Sequence, residues 1–180
     1  MALKTLPPRN LVRRLLDYDP DTGLFIWRRR PREMFPDGWN FEIWNNRFAG
    51  KPAGTPIAGY LQIGIHNAAY STQYRAHRLA WLLVHGEPVP DQLDHIDRNR
   101  ANNRINNLRP ATQSQSSANT SLRSNNTTGI KGVSRHQNGF RVEVSFAGKR
   151  YRRLFRTMEE AIKARRDAVI EMHGDFASID

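Results

Sequence analysis

The chain contains no cysteine. Disulfide staples and thiolate metal sites are both excluded, so any bound metal must be held by oxygen or imidazole. Long apolar runs are missing as well: no window approaches the roughly 20 apolar residues of a membrane-spanning helix, and MALKTLPPRN lacks the hydrophobic stretch of a secretory signal. These absences predict a protein of a cytoplasm-like compartment with no membrane partner. Acids are scarce: 17 Asp and Glu stand against 28 Lys and Arg, a formal charge of +11 over 180 residues. Such an excess points to a polyanion, nucleic acid before an anionic membrane surface. A merely soluble basic protein is the plainer alternative. The length suits one medium domain or two small ones.

LVRRLLDYDPDTGLFIW opens as a short amphipathic helix with Leu11, Leu15 and Leu16 on one side, breaks at Pro20 and Gly23, and resumes as a strand from Leu24 to Trp27. RRRPREMFPDGWNFEIWNNRFAGKPAG is rich in Pro, Gly, Arg and Trp, which predicts an irregular loop lying along a phosphate backbone. Plain burial of Trp39 and Trp44 is the competing reading. Two strands, Tyr60 to His66 and Gln73 to Ala76, lead into a helix from His77 to His85 whose Leu79, Leu82 and Leu83 keep helical spacing. Gly86, Pro88 and Pro90 end it.

Beyond a polar, aperiodic SLRSNNTTG the texture changes. Phe140, Val142, Val144 and Phe146 alternate with Arg141, Glu143 and Ser145, the period of a half-buried strand, and Asn138-Gly139 and Gly148-Lys149 supply hairpin turns. Thr157 with Glu160 is a capping box opening a helix whose Met158, Ala161, Ile162, Ala168, Val169 and Met172 make one apolar side, stopped by Gly174. Three strands and one helix predict a small separate domain.

Between these regions lies LDHIDRNRANNRINNLRPATQSQSSANTS, almost devoid of apolar residues. It reads strand, loop, strand, helix, with Thr112 capping a helix over 113–121. A carboxylate such as Asp94 suits Mg²⁺, which keeps waters and phosphate in its other positions, and a neutral imidazole such as His95 takes a proton from water. Together they offer phosphodiester hydrolysis. In a regular strand, however, the two side chains point to opposite faces, so one site requires a bend or a straddled substrate. A surface salt link is the plainer account of the doublet. For Asn99, Asn102, Asn103 and Asn106 the favoured reading is an amide-braced loop without chemistry.

At these residues the sequence resembles the phage HNH homing endonucleases, a branch of the ββα-metal nucleases. The resemblance rests on AHRLAW at 76–81, DHID at 94–97, NNRINNLRPAT at 102–112 and Asn119, in family order. It extends upstream through LLDYDPDTGLFIW and WNNRFAGKPAG, over most of residues 10–120. The C-terminal region, through GIKGV, GKRYRRLFRTMEEAIKARRDA and HGDFA, resembles the ethylene-response-factor (APETALA-two type) DNA-binding domain. Together these imply an α+β protein: a ββα-metal HNH nuclease module with an N-terminal strand and helix extension, plus a small three-stranded antiparallel sheet packed on one helix. The expected limits are an endonuclease domain over 1–121 with its catalytic segment at about 91–121, a linker over 122–128 and a DNA-binding domain over 129–180.

The resemblance makes His95 the general base, Asp94 the metal-binding carboxylate and Asn107 the amide that orients the imidazole, with His77 as support. The family's third position, an Asn or His on the helix, is here Ser116. A serine hydroxyl reaches roughly 1–1.5 Å less far than an asparagine carbonyl, so a water bridge, or Asn119 one turn along, is needed to complete the site. The implied activity is hydrolysis of double-stranded DNA with Mg²⁺, or Mn²⁺, by a monomer needing no protein partner, in the cytoplasm of a phage host. The alternative is a DNA-binding protein weakened or inactivated by Ser116. Arg98, Arg100, Arg104, Arg109 and Arg123 are expected on phosphates near the cut. Arg135, Arg141, Arg150 and Arg152 or Arg153 are expected with Glu143 on the sheet face opposite the last helix, set for a major groove.

Overall fold

The first helix, α1 (Arg9–Leu15), stops where Leu16 becomes extended and the chain enters a hairpin, β1 (Leu16–Tyr18) against β2 (Phe25–Trp27). The structure, a computed structural model, describes residues 5–35, 37, 39–66, 71–120, 122 and 124–177. It is α+β, with five α-helices and small antiparallel sheets among the described residues, and divides into two compact units, residues 1–110 and 111–180. This division places the helix after residue 111 in the second unit, whereas the sequence reading ends the first domain at residue 121. Among the described residues no helix is long and apolar enough to cross a membrane.

In the first unit, α2 (Phe41–Phe48) occupies the stretch expected to be an irregular loop. Asn40 caps it, its side chain accepting from the Ile43 amide at 3.0 Å. Phe41 and Trp44 pack on Phe35 and Phe48 packs on Trp44, a periodicity hidden by the surrounding Pro and Gly. A three-stranded sheet follows in the order β3 (Thr55–Ile57), β4 (Tyr60–His66), β5 (Ser71–Arg75). Its first turn uses Ala58 at φ 50° and Gly59 at φ 80°, the two positive φ values that a two-residue hairpin connection requires. Then come α3 (Ala76–His85) and the antiparallel pair β6 (Leu93–His95) and β7 (Leu108–Pro110). Val12, Leu15, Ile63, Ile65, Leu79 and Leu82 are sealed in one core where α1, β4 and α3 meet.

The second unit begins with α4 (Gln113–Ala118), capped by Thr112 in a box with Gln115 and ending before the expected residue 121, which lies outside the described residues. The stretch expected as a linker is tied down: the Thr128 hydroxyl donates to the Val133 carbonyl at 2.8 Å and the Asn126 amide to the Ile130 carbonyl at 3.0 Å. Strands β8 (Val133–His136), β9 (Gly139–Phe146) and β10 (Lys149–Phe155) form a sheet with β9 central, and α5 (Met158–His173) packs on it. The Thr157 and Glu160 capping box opens α5 as expected. Its buried side differs from the expected one: Ile162 is exposed, while Arg165 is buried and donates from Nε to the Lys131 carbonyl at 3.1 Å.

Candidate functional site

β6 and β7 set Asp94 opposite Arg109 and His95 opposite Leu108. Directly opposed residues share a face, and the Arg109 Nε and Nη2 both donate to Asp94 Oδ2 at 3.1 Å. Past His95 the chain turns. Ile96 N donates back to the Asn107 carbonyl at 2.9 Å, and Arg98, in the left-handed region at φ 65°, donates its N–H to the His95 carbonyl at 2.9 Å. Asp94 and His95 therefore leave β6 on opposite faces, and the turn lies beyond both of them.

The loop that follows is held by its own short polar side chains, as expected for Asn99, Asn102 and Asn103. Asp97 accepts from the Asn99 N–H at 2.8 Å, the Asn102 amide at 2.7 Å and the Asn107 amide at 2.9 Å. Asn107 also donates to the Asn102 carbonyl at 3.0 Å and accepts from the Asp97 N–H at 3.0 Å. Both of its amide hydrogens are therefore engaged in the loop, which fixes the backbone just beyond His95. Although burial raises the Asp97 carboxyl, the bonds from Asn102, Asn107 and Asn99 prevail and lower it. Tyr18 braces the loop from β1, its hydroxyl donating to the Asn103 carbonyl at 2.7 Å.

His95 is 5% exposed. Burial lowers its pKa against the opposing pull of Asp97 and Asp94, so the ring is neutral at pH 7 and fit to accept a proton. Its neighbour is His77, the first full turn of α3, whose ring meets it edge-on at 4.9 Å between centroids. Tyr60 stands beside both, 5.6 Å from His77 and 6.1 Å from His95. The Arg75 and Arg100 guanidinium carbons lie 4.2 and 5.0 Å from the Tyr60 ring centroid, so two cations flank the imidazole pair. Tyr60 and Arg75 were not expected here. Their only signal in the sequence is position: Tyr60 opens β4 directly after a tight turn, and Arg75 immediately precedes AHRLAW.

Arg98, Arg100 and Arg104 are exposed on the loop, whereas Arg109 is half-buried in its ion pair. Arg123 lies outside the described residues. In the second unit, the Ser116 Oγ is buried without a hydrogen-bond partner among the described residues, and Asn119, at the end of α4, is 8% exposed. Among the described residues no three His, Cys, Asp or Glu side chains gather as a metal cluster.

The register of the C-terminal sheet corrects one expectation. Arg152 pairs with Glu143, Arg150 with Ser145 and Ser134 with Arg141, which puts Arg141, Arg150 and Arg152 on one face with Glu143. Arg153 pairs with Val142 and Arg135 with Phe140, so these two lie on the side of the buried valines. Arg135 rests on the Phe140 ring at 5.6 Å and Arg153 on Tyr151 at 5.5 Å.

Strand, turn, strand and, next in the chain, a capped helix, with a buried imidazole beside a carboxylate, are the parts of a ββα nuclease segment. Residues 74–118, from β5 through α4, match the family described as HNH endonuclease. The chain belongs to the HNH endonuclease family. Among its relatives is "Protein 3.8" of Escherichia phage T7, 33% identical over 107 residues that span 57% of this chain and 88% of that protein. No solved structure matches the chain.

Proposed function

We propose that the protein is a metal-dependent DNA endonuclease of the homing type that hydrolyses a phosphodiester of double-stranded DNA. One observation carries this: within the family-matched segment His95, held neutral by burial, ends a strand directly after the Asp94 carboxylate. His95 takes the proton of the attacking water as general base. Asn107 positions it through the loop rather than through a bond to the ring, and His77 walls it off from solvent. The flanking Arg75 and Arg100, with Arg98 and Arg104, meet the phosphates.

A divalent metal fits the donors present. Asp94 supplies the hard carboxylate oxygen that such an ion takes. Asp94 would hold Mg²⁺ or Mn²⁺, with water in the other positions, and the ion would supply charge neutralisation at the leaving oxygen. Residues 1–121 serve as the cutting domain, 122–128 as the connection, and 129–180 as an ethylene-response-factor-like module adding affinity for DNA. In that module Arg141, Arg150 and Arg152 are the first candidates for groove contacts, with Arg135 and Arg153 behind them at the sheet's other face. The enzyme acts as a monomer in the host cytoplasm.

A second reading, DNA binding without cutting, is favoured by Ser116 and by the hold of Arg109 on Asp94. Supercoiled DNA incubated with the protein and Mg²⁺ or Mn²⁺ separates the two. Loss of supercoils that His95→Ala abolishes supports the nuclease, and Ser116→Asn should then accelerate it. Intact supercoils with undiminished DNA binding favour the second reading.

A further inference from the structure

Apart from the His95 cluster and sharing no residue with it, a cavity of about 280 Å³ opens in the first unit, lined by Trp27, Arg30, Trp39, Trp44, Phe48 and His66 among others. Arg30 is only 4% exposed. Its guanidinium carbon lies 4.5 Å from the Trp27 ring centroid and 4.0 Å from that of Trp44, in the corner of two indoles set at 79°. Asn45 pins the Arg30 backbone, accepting from its N–H at 2.9 Å and donating to its carbonyl at 2.8 Å, so the side chain is preorganised.

What Arg30 lacks is an acceptor. Its Nε is buried with no hydrogen-bond partner among the described residues, and no carboxylate pairs with it there. Burial lowers its pKa to about 10, which still leaves it charged at neutral pH. A buried cation faced by π systems, with no carboxylate paired to it among the described residues, is costly to keep unless something else meets its N–H groups. The comparison within the chain is direct: among the described residues the other buried arginine, Arg165, donates Nε to a backbone carbonyl.

The cavity therefore asks for a ligand that is flat, apolar on its faces and an acceptor at one edge. Arginine has donors only, so the edge that meets it must accept, through oxygen or ring nitrogen, and an exocyclic amino group such as that of cytosine or adenine would set donor against donor there. Trp39, 47% exposed, supplies an indole at the mouth on which a ring can stack. The net charge of +11 draws nucleic acid to the surface in the first place. We propose that the cavity receives one unstacked keto base, guanine or thymine, of the DNA substrate, its face against the indoles and a carbonyl oxygen on Arg30. The proposal rests on the reading that DNA is the substrate, and it is independent of the cutting step.

The test uses the full chain with EDTA present, so that nothing is cut, and follows tryptophan quenching by short oligo-dT and oligo-dC alongside a gel-shift with duplex DNA. Oligo-dT is expected to bind more tightly than oligo-dC. Trp39→Leu, a change at an exposed site, is expected to weaken oligo-dT binding by roughly tenfold. Arg30→Met, which removes an unpaired buried charge while filling the space, is expected to fold and to lose the preference for thymine. Should Arg30→Met not fold, Trp39→Leu decides alone. Equal binding of the two oligonucleotides, or oligo-dT binding indifferent to Trp39→Leu, overturns the proposal. Duplex bound while oligo-dT is ignored removes the cavity's role and leaves the nuclease reading standing; failure to bind any DNA removes both.

Discussion

The His77 ring stands at 87° to the His95 ring, 4.9 Å away, and is itself only 4% exposed. Burial first, then His95, Arg75 and Arg78, push the His77 imidazole from 6.5 down to about 3. The unfolded chain takes up a proton near pH 6.5 that the folded chain refuses until about pH 3, so the unfolded state holds more protons throughout that window. Stability therefore rises with pH across it and is lost as pH falls, by up to about 1.4 kcal/mol per pH unit from this residue. Urea melts between about pH 7 and about pH 4 measure the slope. His77→Phe, which keeps a ring against Tyr60 and His95, should flatten it; an undiminished slope would show that His77 is protonated in the fold.

Asn107 engages Asp97 through both side chain and backbone, and so couples the end of β6 to the start of β7. Asn107→Ala removes a buried amide that donates to Asp97 and to the Asn102 carbonyl, and should cost about 1–3 kcal/mol. Cutting should fall with it under conditions where the variant is still folded, because the turn that carries His95 is no longer fixed. Far-ultraviolet circular dichroism melts and the supercoil assay read the two effects separately. Full activity in the folded variant would refute a positioning role.

Parts of the fold announce themselves in short windows of sequence, and parts do not. α3 is written in the spacing of Leu79, Leu82 and Leu83, all buried, and α5 in a capping box whose two halves are three residues apart. The alternation of β9 likewise shows in Val142 and Val144. Helix α2 was illegible because its aromatic spacing of Phe41, Trp44 and Phe48 sits among prolines and glycines that dominate a compositional reading. The faces of Arg135 and Arg153 depend on strand register, which the turns at Gln137–Asn138 and Ala147–Gly148 fix in that order and which composition does not reveal. Arg165 enters the core because a distant carbonyl, that of Lys131, accepts its Nε. At the site, Asp94 and His95 are legible as a doublet, but the approach of Tyr60, Arg75 and His77 to His95 is tertiary, and so is the capture of Asp94 by Arg109.

Gly23 lies in the turn between β1 and β2, at φ 76°, where a Cβ would come within 2.6 Å of the Arg104 nitrogen and 2.7 Å of the Asn103 carbonyl carbon. Both neighbours are backbone, so neither can swing away. Gly23→Ala should cost more than the roughly 1–2 kcal/mol of left-handed strain alone and should displace the loop after His95. Thermal melts and the cutting assay are both expected to fall. A variant as stable as the parent would mean that the turn and the loop separate freely.

Glu143 accepts from Arg150 at 2.6 Å and lies 3.8 Å from Arg152, masking two of the three arginines on its face. The Arg150 hydrogen bond, with the charges of Arg150, Arg152 and Arg141, holds its carboxyl below the usual range, so it is ionised at neutral pH and the masking is complete there. The pairs are at the surface, so Glu143→Gln should leave stability nearly unchanged. If this face meets phosphates, freeing the arginines tightens duplex binding and steepens the salt dependence by roughly one to two in the log–log slope. Fluorescence anisotropy with labelled duplex across a salt series measures it. An identical slope for parent and variant would put the DNA elsewhere, and the same series with Arg153→Ala would then ask whether the contact runs along the sheet's other side.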